Sequence, residues 1–436
     1  MKTFVSIAVL FFLYGIIYAQ PSQTVRPRVI ISTDGEIDDK SSFVRFLMYT
    51  NDFDVEGIIA TNSKWQKRGH GTGWIFDVID LYGKVRPNLL LHSKNYPSVE
   101  YLKSKVVRGN EDPEFLTRIP PYKDTQGSEL ILKTLLENDE RDVHVACWGG
   151  ANTIAQALWK LKNNYPHNTY LRAVRKIKIY SVDFQDYAGY WIISNFHDAM
   201  IIKSACWYTT FGYRPQNNNP FPELMSEQWL TENVKTNHGP LGAFYPQKYV
   251  SEGDSPSFFN LIDNGLEAYK DYTLGGWGGR FEKVANNFYM DAEENGDIKK
   301  PFTRWIDAIQ NDFAARMDWC VQPFDNANHP PLITQIEGYK KIVSPGDKIT
   351  LKAQAADPDG NKLNYKWWHY YQADSTGRQI IFENPHSPSV EFNIPVNAKG
   401  KIQIILEVTD NGKPRLKRYK RFLFEIQNPA VSRVNK

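Results

Sequence analysis

Apolar and amphipathic segments alternate along the larger, N-terminal part of the chain, from residue 28 to 320. The apolar segments predict strands at Val29–Ser32, Val55–Ala60, Leu89–His92, Val143–Ala146 and Ile177–Ser181. The amphipathic segments predict helices at Ser42–Tyr49, Trp74–Tyr82, Ser128–Glu137, Thr153–Asn163, Ser257–Leu266 and Phe302–Trp319. Such alternation is typical of an α/β domain with an open, mostly parallel sheet and flanking helices. Ligands of these sheets bind at the carboxyl ends of the strands.

The pattern changes near Pro323. Residues 323–331 are rich in Asn and Pro and are typical of a linker. Between residues 332 and 428, alternating runs predict strands at Lys348–Ala355, Leu363–Tyr371, Gln379–Glu383, Val390–Ile394, Ile402–Val408 and Tyr419–Ile426. They predict an Ig-like all-β sandwich of about 100 residues. The basic run Lys413–Arg421 is expected to be a solvated edge strand.

The bulk properties fit an exported protein of two domains. A chain of 436 residues is long for one domain and suits two, the first of which spans residues 28–322. The formal net charge of +3 creates no strong basic field, so a nucleic-acid partner is not indicated. Three cysteines allow at most one disulfide.

Residues 1–19 have the pattern of a secretory signal peptide. Lys2 supplies the charged start, Phe4–Tyr18 the apolar segment and Ala19 a cleavage position. An uncleaved anchor is the alternative, although the apolar run is shorter than the ~20 residues that span a bilayer. The pattern predicts a secreted, periplasmic or cell-surface protein that has no membrane attachment after cleavage.

Three acids follow the first predicted strand. Asp34, Asp38 and Asp39 lie in a turn that Gly35 eases, just before a helix. Two carboxylates about 4 Å apart repel each other by roughly 4 kcal/mol at an effective dielectric of about 20. A cation removes that repulsion, and clustered oxygen ligands suit Ca²⁺ or Mg²⁺. The alternative is that Asp38 and Asp39 merely stabilise the start of the helix.

Two further loops follow predicted strands and would lie beside this turn. Asn62 ends the second strand and could orient a water or a sugar hydroxyl, or could be an ordinary turn residue. The loop that ends at Asn152 has the sequence Trp-Gly-Gly-Ala-Asn and could present a backbone carbonyl to a cation. A tight turn with a helix cap explains the same pattern.

The later candidates are more scattered. Asp254 precedes a predicted helix and could be a metal ligand or an N-cap. Glu252 could contact a substrate or lie at the surface, and His238 could be a general acid or a structural residue. Four glycines surround Trp277 and precede Arg280, so this segment could stack a sugar ring or could be a turn with a core tryptophan.

Together these residues resemble the calcium-dependent nucleoside hydrolases. The likeness consists of the Asp-Gly-x-x-Asp-Asp turn, the Asn after the second strand, the Gly-Gly-x-Asn loop and the late Asp. The chain is most similar to a secreted two-domain subfamily, in which a β-sandwich follows the hydrolase-like domain and some members are described as cellulose-binding. The stretches that carry this likeness are Glu252–Ser257, Gly275–Arg280, Gln310–Trp319 and Asp357–Gly360.

The resemblance implies one Ca²⁺ at the active site. Its protein ligands would be Asp34, Asp39, the carbonyl of Asn152 and Asp254. Asp34 would also be the base for a metal-bound water, which attacks an oxocarbenium-like anomeric carbon. Asp38 would bind a sugar hydroxyl, and Asn62 would position the sugar or the water. Substrate contacts from His238, Glu252, Trp277 and Arg280 complete the predicted site.

The chain also departs from the nucleoside hydrolase pattern. Ser32 replaces the usual Asp two residues before the first motif Asp, and Gly35-Glu36 replaces Pro-Gly. The Glu-Phe-Asn sugar signature has no clear counterpart near Phe196–Asp198, and Gly253 replaces the His of the late His-Asp pair. The metal ligands are therefore retained, whereas sugar and leaving-group recognition is rebuilt.

The sandwich carries an aromatic strand, Trp367–Tyr371. Alternation sends Trp367 to one face and Trp368 and Tyr370 to the other. One set would fill the sandwich core, and the other would pack on the first domain or form a sugar-stacking platform. The segment Asp357–Gly360 could hold a second Ca²⁺ or form a β-turn.

These features predict an exported Ca²⁺-dependent hydrolase of glycosyl bonds. Its substrate would be a small nucleoside or furanose-like glycoside, or part of a polysaccharide. The alternative is a non-catalytic protein that binds a cellulose-like polysaccharide and retains the metal ligands. A third interpretation is a structural surface protein. The sequence does not decide whether the protein forms a homo-oligomer.

Overall fold

The computed structural model describes residues 25–212 and 219–427. The predicted signal peptide lies outside these ranges. Within them, no helix is long and apolar enough to cross a membrane. All three cysteines are buried, and none forms a disulfide.

The N-terminal part forms one eight-stranded sheet. Its strands are β1 (Arg28–Thr33), β2 (Asp54–Ala60), β3 (Val106–Arg108), β4 (Val143–Cys147), β5 (Ile177–Val182), β6 (Met200–Ser204), β7 (Phe281–Ala285) and β8 (Phe288–Asp291). Their order is β3-β2-β1-β4-β5-β6-β8-β7, and all neighbours pair in parallel except β7 with β8. Every residue of β1 and β4 is buried, because helices cover both faces of the sheet.

Twelve α-helices lie in the described residues. They are α1 (Ile37–Met48), α2 (Gly73–His92), α3 (Val99–Ser104), α4 (Gln126–Leu136), α5 (Asn152–Asn164), α6 (His167–Lys176), α7 (Ala188–Asn195), α8 (Glu227–Leu230), α9 (Gly239–Phe244), α10 (Pro256–Phe259), α11 (Lys300–Thr303) and α12 (Ile306–Asp318). Helices α1, α2 and α12 pack on one face of the sheet, and α4 to α7 pack on the other. The predicted open, mostly parallel α/β architecture is confirmed.

Several individual elements were predicted wrongly. Leu89–His92 is the last turn of α2 and not a strand, since a short apolar run has no period that separates the two. The helix predicted at Ser257–Leu266 ends at Phe259. The segment predicted as one helix at Phe302–Trp319 is divided between α11 and α12.

The C-terminal part forms two mainly antiparallel sheets around a separate apolar core. Its strands are β9 (Leu332–Glu337), β10 (Ile342–Val343), β11 (Lys348–Ala356), β12 (Asn364–His369), β13 (Ser389–Asn393), β14 (Lys401–Thr409) and β15 (Lys417–Ile426). One sheet has the order β10-β15-β14-β12 and the other β13-β11-β9. The strand predicted at Gln379–Glu383 does not form.

The aromatic strand fills two cores at once. Trp367 is 1% exposed and lies in the sandwich core. The opposite face sends Trp368 and Tyr370 to Trp305 of the first domain, with ring centroids 5.8 and 6.3 Å from that indole. Tyr419 of β15 approaches the same indole at 5.5 Å. The predicted alternation is therefore correct, and the face opposite the sandwich core packs on the first domain.

Polar groups reinforce this contact between the domains. Glu294 is 1% exposed, accepts a hydrogen bond of 2.6 Å from the Tyr370 hydroxyl and pairs with Arg280 and Arg304. Arg421 donates to the carbonyls of Leu274 and Gly275. The prediction that Lys413–Arg421 is a solvated edge strand is correct only in part. Strand β15 pairs with β14 on one side and with β10 only at Glu425 and Ile426, but Tyr419 and Arg421 face the first domain and not solvent.

Replacing Trp305 with alanine should separate the unfolding of the two domains. Loss of a buried aromatic side chain usually costs about 3–5 kcal/mol, and this one contacts both domains. Differential scanning calorimetry should change from one transition to two, with the first at a lower temperature. Trp65→Ala is the control, because Trp65 is 64% exposed and its loss should cost less than about 0.5 kcal/mol. A single, unshifted transition in Trp305→Ala would contradict this expectation.

Candidate functional site: a buried acidic cluster at the sheet edge

Asp34 is the first residue after β1, at the carboxyl edge of the sheet. Gly35 follows with a φ of +81°, a left-handed backbone that favours glycine. A Cβ at Gly35 would lie 2.7 Å from His70 Cβ and 2.9 Å from Trp74 Nε1. Only glycine fits this tight turn, which lets α1 begin directly after it.

Asp38 and Asp39 lie in the first turn of α1. The Thr33 hydroxyl donates a hydrogen bond to Asp39 Oδ1, and the Gly35 N–H lies 3.3 Å from the same oxygen. Glu36 occupies the N-cap position and makes no side-chain cap hydrogen bond within the described residues. Asp39 is thus tied back to the end of β1, which holds its carboxylate beside Asp34.

Asp254 reaches the same place from a distant loop and is 3% exposed. The Ser257 hydroxyl donates to its carbonyl at 2.5 Å, and the Trp148 indole N–H donates to Ser257 at 2.8 Å. Trp148 directly follows β4, so the central sheet fixes this loop. Carboxylate oxygens of Asp38, Asp39 and Asp254 all lie within 4.8 Å of one another. The structure therefore brings together the four predicted acids.

These acids are poorly neutralised by the protein. Among the described residues, the buried Oδ2 atoms of Asp34 and Asp254 have no hydrogen-bond partner. Burial, followed by smaller effects that include the charges of neighbouring acids, raises the pKa of Asp34 to about 6 and that of Asp38 to about 7. Burial and the adjacent carboxylates also hold the pKa values of Asp39 and Asp254 well above the usual range.

The donor set fits a hard divalent cation. Buried carboxylate oxygens that repel each other and lack protein donors are the ligands such ions prefer. Asp38, Asp39 and Asp254 together could hold a metal ion, with Asp38 at the half-buried side of the group. Asp34 lies next to Asp39 and adds its charge to the same cluster.

Asn62 and Asn152 lie beside the cluster and hydrogen-bond to each other. The Asn152 side-chain amide donates to Asn62 Oδ1 at 2.7 Å, and the Asn152 backbone N–H donates to Asp186 at 2.8 Å. The Gly150 N–H donates to the Asn62 carbonyl at 2.8 Å. A Cβ at Gly149 would lie 3.0 Å from Asp34 Cβ. This network holds the loop so that Gly149 lies against Asp34.

Sequence reasoning missed Asp186. Burial raises its pKa to about 6, while backbone N–H groups at the start of α5, including that of Asn152, hydrogen-bond to it and lower the pKa. A Cβ at Gly150 would come within 2.5 Å of Asp186 Oδ2. Its position shortly after β5 resembles that of Asp34 after β1, and this was the available signal.

A buried ion pair joins α1 to the Asp254 loop. The Arg45 guanidinium pairs with the Glu252 carboxylate, and both side chains are 0% exposed. Glu252 also accepts hydrogen bonds of 2.8 Å from the hydroxyls of Tyr245 and Ser255. Glu252, predicted as a substrate contact, thus has four protein donors and lies two residues from Asp254.

Three other predicted substrate contacts have their partners elsewhere. His238 Nε2 lies 3.1 Å from Asp318 near the end of α12. Trp277 is 1% exposed and lies edge-on to Tyr419 of the sandwich. Arg280 pairs with Glu294 at the contact between the domains. The structure does not bring these three side chains into the acidic cluster.

Removing divalent cations should destabilise the protein increasingly from about pH 4 to about pH 7. The folded-state pKa values of Asp34 (about 6) and Asp38 (about 7) exceed the ordinary 3.8, so the folded state binds more protons than the unfolded state in this window. Stability therefore falls as these groups lose their protons.

Added Ca²⁺ should offset that loss. The Ca²⁺-induced rise in Tm of metal-stripped protein, followed by circular dichroism, should therefore grow across the same pH range. Potassium chloride at matched ionic strength is the control. A calcium effect that stays constant or shrinks with rising pH would count against the metal site.

Replacing Arg45 with methionine should weaken Ca²⁺ binding as well as the fold. Glu252 would be left buried without its cation, a change that typically costs about 3–5 kcal/mol. Because Glu252 anchors the loop of Asp254, the Kd for Ca²⁺ measured by calorimetry should rise.

Arg316→Met is the matched control for Arg45→Met. Arg316 forms a similarly buried pair with Asp312 at 3.0 Å, remote from the acidic cluster. It should lower the free energy of urea unfolding without changing the Kd for Ca²⁺. Equal calcium affinity in both variants would rule out the positioning role of Arg45.

Comparisons with known proteins match both domains of the chain. Residues 28–281 match the family described as "Cellulose-binding Sde182, nucleoside hydrolase-like domain". Residues 348–426 match "Cellulose-binding protein Sde0182, C-terminal domain". A solved structure from Saccharophagus degradans is 34% identical and covers 92% of this chain and 100% of its own, with a TM-score of 0.81. It is described as a nucleoside hydrolase-related hypothetical protein that is associated with carbohydrate metabolism.

More distant structures also match. A plant nucleoside hydrolase and an inosine-guanosine nucleoside hydrolase are 10% and 12% identical, each with a TM-score of 0.35. They cover 69% and 68% of this chain and 100% and 99% of their own. No curated protein sequence matches the chain. On the family match and the Saccharophagus structure, the chain belongs to the family described as "Cellulose-binding Sde182, nucleoside hydrolase-like domain", and in this chain that domain precedes a β-sheet domain.

Proposed function

We propose that this protein is an exported, Ca²⁺-dependent hydrolase of glycosyl bonds in a nucleoside or a furanose-like glycoside. The observation that supports it most is Asp34, whose buried Oδ2 has no partner among the described residues. A carboxylate with an available oxygen at the carboxyl edge of a parallel sheet can take a proton from an attacking water. Its pKa of about 6 suits a base that works near neutral pH.

The other acids would bind the metal ion and the sugar. Asp34, Asp39, Asp254 and the carbonyl of Asn152 would hold the Ca²⁺, which when bound polarises oxygen and makes water more acidic. Asp38 is half-buried, so it can accept a hydrogen bond from a sugar hydroxyl. The negative charge of the cluster would stabilise the positive charge that develops at the anomeric carbon.

Asn62 and Ser63 would orient these groups. A hydrogen bond from Ser63 to Asp34 lowers the pKa of that carboxyl against the effect of burial. Asn62 is bound to Asn152 at 2.7 Å and to the Lys67 carbonyl at 2.9 Å, so it holds the loop that carries Ser63. Export is supported by the sequence of residues 1–19.

The second candidate function is carbohydrate binding without turnover. The family description, which names cellulose, favours it. In that case the same cluster would hold a metal ion that contacts sugar hydroxyls, and Asp34 would be a ligand but not a base. The two functions therefore predict the same calcium site and differ only in whether a glycosyl bond breaks.

Asp34→Ala should abolish glycosyl-bond hydrolysis and leave the fold intact. General-base catalysis is worth about 10²–10⁴-fold in rate, so sugar release should fall at least about 100-fold. The mature protein would be incubated with nucleosides and aryl furanosides, in Ca²⁺ or in chelator. Asp183→Asn is the matched control, since this acid pairs with Lys64 and Lys203 at a neighbouring loop.

Three outcomes separate the candidates. Calcium-dependent sugar release that is lost only in Asp34→Ala would establish the hydrolase and its sugar class. Turnover that persists in purified Asp34→Ala would exclude the assigned base. Calcium-dependent glycan binding with no release from any substrate would favour the binding function.

A further inference from the structure

Three tryptophans border the acidic cluster, each on a different segment of the chain. They are Trp65, after β2; Trp74, in the first turn of α2; and Trp207, after β6. We call these three side chains the tryptophan rim. Exposed aromatic side chains that share one place on a soluble protein commonly mark a binding surface.

Trp65 is the most exposed member of the rim. Its ring is 64% exposed, and its backbone N–H donates at 3.0 Å to the Ser63 hydroxyl oxygen. That same hydroxyl lies close enough to Asp34 to lower the pKa of its carboxyl against the effect of burial. The Lys64 N–H donates at 2.8 Å to the Gln185 carbonyl, so the loop that carries Trp65 is held to the loop that follows β5. Trp65 is therefore an exposed ring on a well-anchored loop next to the proposed base.

The other two rings press against glycines of the acid-bearing loops. A Cβ at Gly35 would lie 2.9 Å from Trp74 Nε1. A Cβ at Gly253 would lie 2.7 Å from Trp207 Cε3 and 3.0 Å from Asp38 Oδ2. Both indoles are half-buried. Because Gly35 and Gly253 have no side chains, the two indoles can lie close to the carboxylates.

The aromatic strand Trp367–Tyr371 and the segment around Trp277 do not offer a comparable surface. Trp367 and Tyr370 are 1% and 0% exposed, and Trp368 packs on Trp305. Trp277 is 1% exposed. The aromatic segments that the sequence suggested for sugar stacking are thus occupied by the protein itself.

We propose that the tryptophan rim is the surface on which a neutral glucan chain lies, with one sugar ring placed over the acidic cluster. This rests on the proposed function and extends it to a polymeric ligand. Three rings on three segments offer stacking positions to a ligand with several sugar rings, whereas a nucleoside has one base and one sugar. The cluster's negative charge disfavours polyanions, and Lys64 is already paired with Asp183.

The test uses the full mature chain with Ca²⁺ and cellohexaose in calorimetry, together with native affinity electrophoresis in a soluble cellulose ether. Trp65→Ala should weaken both at least about tenfold, as expected when a central aromatic anchor is removed. Trp65→Phe should recover most of the affinity. Tyr101→Ala is the matched control, because Tyr101 is 40% exposed and hydrogen-bonds to Val55 at the opposite edge of the sheet.

The outcomes distinguish glucan binding at the tryptophan rim from glycosyl-bond hydrolysis at the acidic cluster. Glucan binding that falls in Trp65→Ala but not in Tyr101→Ala supports the rim, even if no glycosyl bond is ever broken. Wild-type glucan affinity in Trp65→Ala overturns the rim, and so does a wild-type protein that hydrolyses nucleosides without binding glucan. Because Trp65 is exposed, its variant should unfold at the wild-type temperature, which makes a folding defect easy to recognise.

Discussion

Mutual repulsion among four clustered carboxylates, three of them buried, is the constraint around which the first domain is organised. Acids this close and this dry cannot all be charged unless a cation lies between them. The protein holds them there with rigid neutral contacts, such as the Thr33 hydroxyl on Asp39 and the Trp148–Ser257 chain to Asp254. The nearest buried guanidinium in this framework, that of Arg45, is already matched by Glu252. Neutralisation is left to a ligand, as expected of a binding site and not of a structural core.

Part of this arrangement could be predicted from the sequence. Asp34, Asp38 and Asp39 follow an apolar strand directly, so strand topology alone places them at the carboxyl edge. Asp254 lies more than 200 residues further along, and no periodicity pairs it with that turn; only the resemblance to a family suggested it. The buried position of Arg45 could not be predicted, because a cation on an amphipathic helix usually faces water. Here three aromatic rings surround it. The position of Asp186 shortly after β5 was a signal in the sequence, but its contacts are with backbone N–H groups, which sequence patterns do not display.

The second domain illustrates a different limit of sequence reasoning. Aromatic residues on both sides of one strand showed that both faces are covered, but they did not show by what. The answer depends on Trp305, which lies in a segment without any unusual composition. The prediction for the basic residues of β15 failed in part for the same reason, because the sequence does not show what covers that strand. Arg421 reaches carbonyls of the first domain, and burial lowers its pKa to about 10.

The distance along the chain between the acids also has a consequence for biogenesis. Strands β2 to β6 separate the carboxylates at the start of α1 from Asp254 along the chain, so this contact has a high sequence separation, which makes it slow to form during folding. During the export that we propose, the chain would cross a membrane unfolded, and in that state its acids would be isolated and would bind divalent ions weakly. Capture of the proposed ion would then follow folding in the compartment that the protein reaches.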